Sequence, residues 1–498
     1  MRWSITKTQA ADTAGDLLVF PVFQKDDKAD LKPVATGTKP ADLKKQVSTS
    51  GFDAKASSLL PLFSADTKAG WLLLAGLGDA DKVGLDHIRR LAGTVAKQAR
   101  SMKAGRILVA VPPQESIRID DHAFARAWVE GAEMALFAVG VLKTGKKSKE
   151  LPGSWKFLAD PTRHKELRAG IGEGEKFSTG CNFARDLVNQ PPNLLTPVKL
   201  AEEAKAMAKA EGMKCKILNV PQMEKLNMGG ILGVGQGSVN PPRLIALQYK
   251  GAKSRKSPTI AIVGKGVTFD TGGISLKPGA NMDLMKSDMG GAAAVLGAAQ
   301  IVARLGLDVN LLTVVPTAEN MPDGNAVRPA DVITMANGKT VEILNTDAEG
   351  RLILGDALWY AGRSKPDYII DAATLTGACV VALGNHFAGL MSNSGELIDS
   401  IKQAGGETFE RVWHLPLIDE HKDAMKGTWS DLKNLGPREG GAMTAAGFLS
   451  HFVDDETQWA HIDIAGPSYS EKATATGPVG GTGFGARLIA RAVQILVS

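Results

Sequence analysis

Cysteine is scarce in this chain: three in 498 residues. Cys181, Cys215 and Cys379 are odd in number and widely spaced, so no disulfide framework is expected and a reducing compartment, the cytoplasm, suits them. Neither a Cys-x-x-Cys pair nor a His-Glu-x-x-His occurs, which excludes standard zinc-finger and zincin sites. The histidines form no ligand pairs, and His386, His414 and His461 read as structural or surface groups. No apolar run is long enough to cross a bilayer, and the opening Met1-Arg2-Trp3-Ser4-Ile5-Thr6-Lys7 lacks a signal-peptide core, so no membrane partner is expected. Charge of one sign is also lacking: 58 Lys plus Arg oppose 53 Asp plus Glu, a net of +5. That balance does not by itself imply a nucleic-acid partner. The densest basic stretch runs from Lys143 through Lys146, Lys147 and Lys149 to Arg163, His164, Lys165 and Arg168. It reads as a solvated interdomain segment, with a nucleic-acid patch as the lesser reading. Gly233-Val234-Gly235-Gln236-Gly237 lacks the third glycine of a dinucleotide fingerprint and reads as a loop. Gly264-Lys265-Gly266 is no P-loop, because no Gly-Lys-Ser/Thr closes it.

What is present is length, apolar periodicity and clustered acids. At 498 residues with 44% hydrophobic content, the chain is a soluble globular type too long for one ordinary core. Residues 17–23, 71–77 and 107–111 read as buried strands, and 87–102 and 124–139 carry helical spacing. Such alternation favours a parallel α/β sheet. The Lys/Gly/Pro-rich region around 143–162 reads as a boundary, and a helix over about 168–189 leads onward. Further strands are expected at 216–220, 244–249, 260–263, 309–315 and 368–371. The predicted fold is α/β: a smaller N-terminal α/β domain over 1–165, then a larger α/β/α sandwich with a mixed sheet over 166–498.

Two segments concentrate the chemistry. Asn345-Thr346-Asp347-Ala348-Glu349-Gly350-Arg351-Leu352 sets two carboxylates two residues apart and an arginine two further on. Read as an extended segment, it points Asp347, Glu349 and Arg351 to one side. Like charges so close call for a cation between them. The second segment, Val263-Gly264-Lys265-Gly266-Val267-Thr268-Phe269-Asp270-Thr271-Gly272-Gly273, follows a β-branched run. Lys265 would sit at the strand's carboxyl end and Asp270 in the loop after it, where open α/β sheets place ligands. Asp288 follows in Met285-Lys286-Ser287-Asp288-Met289-Gly290-Gly291, ahead of an Ala-rich helical run over 292–302.

These blocks, in this order, resemble the leucyl aminopeptidase family, the two-metal cytosol aminopeptidases of bacterial type. Asp186-Leu187-Val188-Asn189, Arg328-Pro329-Ala330-Asp331, Asp371-Ala372-Ala373-Thr374-Leu375-Thr376-Gly377 and Trp459-Ala460-His461-Ile462-Asp463 are similar too. The resemblance is strong over roughly 170–470 and weak over the first third.

The chemistry can also be read from the residues. Cleaving an unactivated amide needs a nucleophile and a way to hold the oxyanion, and two bridged metals supply both. Asp270, Asp288, Asp347 and Glu349 offer oxygens that together neutralise two divalent ions. Lys265 can join them only by losing its proton, which a nearby dication favours. Mostly oxygen ligands with one nitrogen suit Mn²⁺ or Zn²⁺, with Co²⁺ or Mg²⁺ as alternatives.

The resemblance implies finer roles. Lys265, Asp270, Asp288 and Glu349 form the tighter metal site. Asp270, Asp347 and Glu349, with the Asp347 carbonyl, form the more exchangeable one. Lys277 polarises the substrate carbonyl, and Arg351 holds a bicarbonate that acts as general base. The free amine of the peptide binds near Asp288, and Met285, Thr374, Leu375 and Gly377 align with an apolar substrate pocket. It also implies a homohexamer, and DNA binding by some bacterial members keeps DNA open as a partner. Bland readings compete at each position: surface lysines at 265 and 277, a helix cap at Asp288, solvated turn acids at 347 and 349, a structural ion pair at Arg351, a plain strand end at 374–377. A two-metal hydrolase of another bond, such as a phosphoester, is the rival enzyme. The run Gly477-Pro478-Val479-Gly480-Gly481-Thr482-Gly483-Phe484-Gly485 departs from the family's usual Gly-Ala-Thr-Gly arrangement, which bears on leucine preference.

Overall fold

The computed structural model describes residues 1–7, 12–31, 40–63, 67–138, 142, 144 and 153–498. All of the basic stretch from Lys143 to Lys149 except Thr144 lies outside them. The chain divides into two compact units, one of Met1–Ser178 with Lys472–Val479, the other of Thr179–Glu471 with Gly480–Ser498.

In the first unit, strands β1 (Arg2–Thr6), β2 (Leu17–Lys25), β3 (Lys28–Asp30), β4 (Leu59–Phe63), β5 (Trp71–Asp79), β6 (Arg106–Ala110) and β7 (Ser154–Leu158) form one sheet. Its order is β1-β7-β6-β2-β5-β4, with β3 on β2; only β3 and β4 run antiparallel to their partners. Helices α1 (Pro40–Ser50), α2 (Leu85–Ser101) and α3 (Asp121–Ala135) accompany it. Strand β2 is buried along Leu17–Phe23 without alternation, as expected when helices cover both faces of a sheet. Strand β7 lies inside the stretch read as a linker. Its Trp155 and Phe157 alternate into the core between lysine and serine, and five residues gave too short a signal. The segment Lys472–Val479 belongs here because Lys97 Nζ donates to the Thr474 carbonyl, and a Cβ on Gly93 would come within 2.5 Å of the Ala475 oxygen. The division at 178/179 falls inside α4 (His164–Asn189).

After the last part of α4, the second unit continues with α5 (Pro197–Ala210), β8 (Lys214–Leu218), α6 (Val220–Glu224) and α7 (Gly229–Gly235). Gly233 and Gly235 therefore lie in a helix and not in the loop expected from their composition. Close packing explains them: a Cβ on Gly235 would meet Pro242 at 2.7 Å. Next come β9 (Arg243–Lys250), β10 (Thr259–Gly264), β11 (Gly266–Asp270), α8 (Gly290–Leu305) and β12 (Asn310–Asn320). After the short strands β13 (Val332–Thr334) and β14 (Thr340–Glu342) follow α9 (Gly350–Gly362), β15 (Tyr368–Ala373), α10 (Gly377–Leu383), β16 (Ala388–Ser392), β17 (Val412–His414), β18 (Leu432–Lys433) and β19 (Gln458–Asp463). The main sheet runs β17-β16-β19-β15-β10-β12-β9-β8, with β11 on β12. Its centre, β19-β15-β10-β12, is parallel; β9, β8 and β16 pair antiparallel. The architecture is the expected two-domain α/β fold with a mixed sheet in the larger part.

The sheet's centre is built to let helices come close. Gly264 ends β10, and Gly291 lies in the first turn of α8. A Cβ on Gly291 would sit 2.1 Å from the Ala372 carbonyl oxygen, so only glycine permits this approach. The carboxyl ends of β10, β11 and β15 therefore meet the start of α8. Among the described residues no helix is long and apolar enough to cross a membrane.

Candidate metal centre

Lys265 follows β10 directly, and Asp270 is the last residue of β11, not a loop residue as expected from the sequence. Asp288 closes a 3-10 turn (Met282–Ser287) before α8. It does not cap α8, whose N-cap is Met289. Asp347 lies in the turn before α9, and Glu349 is the N-cap of α9 with a helical backbone. The segment 347–351 is therefore a turn entering a helix, not an extended run. Two-residue alternation is the wrong reason for the convergence; the tight turn brings Asp347 and Glu349 together, and Arg351 lies buried in the first helical turn.

The side chains meet. Asp270, Asp347 and Glu349 each offer a carboxylate oxygen, all within 4.8 Å of one another. Lys265 Nζ lies 2.8 Å from Asp288 Oδ2 and 2.9 Å from Glu349 Oε1, and donates to the Thr374 carbonyl at 2.9 Å. Lys277 Nζ lies 2.9 Å from Asp270 Oδ2 and pairs closely with Asp347 Oδ1. Lys265, Asp270, Asp288, Glu349 and Arg351 are buried, which excludes the surface-lysine and solvated-acid readings for those positions. Of the substrate-pocket candidates, Thr374 touches Lys265 and Asp288. Met285 is half-buried in the 3-10 turn, Thr374 and Leu375 are half-buried just past β15, and Gly377 opens α10 exposed, with nothing within 4 Å of a Cβ built on it.

Glycines make the arrangement passable. A Cβ on Gly350 would strike the Lys265 side chain at 2.7 Å. Gly272, at φ +86°, and Gly273, at φ +65°, occupy left-handed backbone beside Asp347 Oδ1 and Asn320 Oδ1.

Electrostatics dominate the site. Burial works against the Lys265 charge, but Asp288, Glu349 and Asp270 outweigh it and raise its pKa. Lys277 is raised likewise, with Asp270 and Asp347 overcoming burial. Burial first, and neighbouring carboxylates second, push Asp288 and Glu349 upward, against the pull of Lys265. Burial lowers Arg351 to about 10, against Glu349 and Asp463. The four acids thus lack counter-charge even with both ammoniums in place. Asp288 Oδ2 and Asp347 Oδ1 are sealed from solvent. Each faces an ammonium within ion-pair distance, Lys265 for the first and Lys277 for the second. Buried oxygens of that kind need a partner. A donor set of carboxylates with one amine, short of positive charge, fits divalent cations.

The sequence is similar to known proteins over nearly its whole length. The profile of the cytosol aminopeptidase family's catalytic domain matches residues 182–490, and that of its N-terminal domain matches 19–146. This chain belongs to the cytosol aminopeptidase family. A probable cytosol aminopeptidase of Geobacter sp. (strain M21) is 40% identical over 491 residues, covering 98% of this chain and 99% of the relative. One from Nitrosococcus oceani is 44% identical over 437 residues, 86% of each chain. Among solved structures, the bottromycin maturation enzyme BotP in complex with Mn superposes with a TM-score of 0.85 at 32% identity, covering 97% of this chain and all of BotP. The family is one of metal-dependent aminopeptidases, and this member is a hydrolase of peptide bonds.

Several residues of this aminopeptidase's site were not singled out from sequence. Asn320, the last residue of β12, donates to Asp270 Oδ1 at 2.8 Å and to the Thr346 carbonyl at 3.0 Å. Thr346 Oγ1 donates to the Gly272 carbonyl and accepts from Ser275 N. The signal for Asn320 was a polar residue ending an apolar strand, but β12 runs five residues beyond the segment read as strand. His461 is structural, as expected: it is buried and its Nδ1 lies 2.5 Å from Asp371 Oδ1. His386 and His414 are exposed.

Proposed function

We propose that this enzyme removes leucine-like residues from the free N-terminus of peptides, using two divalent ions. Lys265, Asp270, Asp288 and Glu349 would hold the tighter ion. Asp270, Asp347 and Glu349, with the Asp347 carbonyl, would hold the more exchangeable one. Bound there, such ions supply Lewis acidity and a water of lowered pKa. The observation that carries this reading is the convergence of Asp270, Asp347 and Glu349 on one point, with Asp288 joined to them through Lys265. Mn²⁺ or Zn²⁺ fits the donor set best, and the manganese in BotP supports the first.

The protein's own groups then divide the work. Lys277, protonated and partly exposed beside Asp270 and Asp347, donates to the substrate carbonyl and steadies the developing oxyanion. Arg351 presents a buried guanidinium, charged at neutral pH, whose planar fork suits a bicarbonate serving as general base. The substrate's free amine would bind at the tighter ion, near Asp288. Met285, Thr374, Leu375 and Gly377 receive the side chain. The family resemblance further supports a homohexamer in the cytoplasm, with the first unit serving assembly or regulation; light scattering on the purified protein tests the hexamer.

The deciding experiment is hydrolysis of leucine p-nitroanilide by metal-stripped protein with Mn²⁺, Zn²⁺ or Co²⁺ restored. Activity should return with metal, vanish in the Asp347→Ala, Glu349→Ala double variant, and be absent on the N-acetylated substrate. A folded protein inactive with every metal would overturn leucine-type cleavage; turnover of aryl phosphates instead would favour the phosphoesterase.

A further inference from the structure

Asp463 ends β19, fully buried, with its Cα in register with Ala373 at the end of β15. Its two carboxylate oxygens serve the segment that follows β15 and the turn after β19. Oδ1 accepts from Leu375 N at 3.2 Å and from Ala465 N at 3.1 Å. Oδ2 accepts from Thr376 Oγ1 at 2.7 Å. That same hydroxyl accepts from Cys379 N at 3.0 Å and so caps α10. One carboxylate therefore fixes residues 375 and 376 and the start of α10 together.

Thr374, immediately before them, touches the metal centre through both its carbonyl and its hydroxyl. Its carbonyl receives Lys265 Nζ at 2.9 Å, and its hydroxyl donates to Asp288 Oδ1 at 2.7 Å. These are the lysine and the aspartate assigned to the tighter ion alone, without a bridging role. We infer that Asp463 is a positioning residue for this centre: by clamping 375–376 it holds Thr374 where it orients Lys265 and Asp288. The inference rests on the two-ion reading given above. The physical reason for a carboxylate is that the turns after β15 and β19 are irregular, and the Leu375 and Ala465 N–H groups there have no ladder partner. An uncharged side chain with one acceptor could not serve two amides and a hydroxyl equally well. Groups that orient metal ligands from outside the donor set change metal affinity or activity by about 10–100-fold when removed.

The test is calorimetric titration of Mn²⁺ or Zn²⁺ into metal-stripped full-length protein, with kcat and KM measured after loading. Asp463→Ala should weaken the tighter ion by about 10–100-fold, leave the more exchangeable one nearly unchanged, and lower kcat. Asp463→Asn keeps the acceptor for the amides but loses the one for the Thr376 hydroxyl, so it should weaken the same ion less than Asp463→Ala does. Should Asp463→Ala fail to fold, Thr376→Val removes a single arm of the clamp and should weaken the same ion less. A variant with a lowered melting temperature but wild-type affinity for both ions would overturn the inference, leaving Asp463 a structural residue. Failure of the wild-type protein to bind two ions would instead overturn the two-ion reading itself.

Discussion

Lys277 and Asp356 show how burial sets what a single residue can do. Lys277 keeps 23% of its side chain exposed while Asp270 and Asp347 hold its charge, so it remains a hydrogen-bond donor across the neutral range. Replacing it with methionine keeps the length and removes the donor. Lys277→Met should lower kcat by about 10²–10³-fold, as loss of an oxyanion donor does, with KM and metal content little changed. Steady-state kinetics with a metal assay check both. Asp356 on α9 is wholly buried and accepts from Ile231 N at 2.9 Å and Ala336 N at 2.8 Å, tying α7 and the turn after β13 to α9. Burial raises its pKa from 3.8 to about 7, against those backbone donors. Between these values the folded state holds a proton that the unfolded state has released. Its contribution to stability is therefore greatest below about pH 4 and declines as pH rises toward 7. Asp356→Ala leaves buried N–H groups unmatched and should cost about 2 kcal/mol or more. Urea unfolding should show a larger loss at pH 5 than at pH 8.

At the scale of elements, the contact between α8 and the end of β10 decides how near the helix start comes to Lys265. Gly291→Ala would drive a methyl into the Ala372 carbonyl and the Lys265 amide, at 2.1 and 2.8 Å. Overpacking of this kind costs about 1–3 kcal/mol, and displacement of Lys265 should weaken metal retention as well; thermal unfolding and dialysis against chelator read the two effects. The same elements show what was legible in advance. Strands β2, β5, β10 and β15 announce themselves through unbroken β-branched and aliphatic runs, since strands covered on both faces need no polar alternation. Strand β7 and helix α7 were missed, the first because it is short and half-polar, the second because its glycines are demanded by packing that no local pattern reveals. The metal-site residues were legible as motifs, yet their geometry was not. Asp347 and Glu349 converge through a turn that enters a helix. Asn320 and Asp463 lie far along the chain from the groups they hold, and only the folded sheet makes them neighbours.

For the molecule as a whole, metal should act as a ligand of the folded state. Four acids drawn from β11, the turn before α8, and the α9 entrance share too little positive charge, so ion binding relieves repulsion between segments far apart in the chain. A ligand bound only to the native state stabilises it by mass action, by about 2.7 kcal/mol at a free concentration 100 times Kd. Chelation should lower Tm, and Mn²⁺ added back should raise it in a concentration-dependent way, with a muted response in the Asp347→Ala, Glu349→Ala variant; scanning calorimetry measures this.

The chain path adds a consequence of its own. It passes between the units not once but three times: within α4, after Glu471, and after Val479. No single cut can separate them. A fragment beginning at residue 179 would carry eight residues, Lys472–Val479, stripped of Lys97 and Gly93, against which they rest. Such a fragment has a frayed loop where the intact protein has a stitched one. Dissection of this enzyme therefore requires replacing that excursion with a short linker, and the familiar picture of two beads on one string does not apply to it.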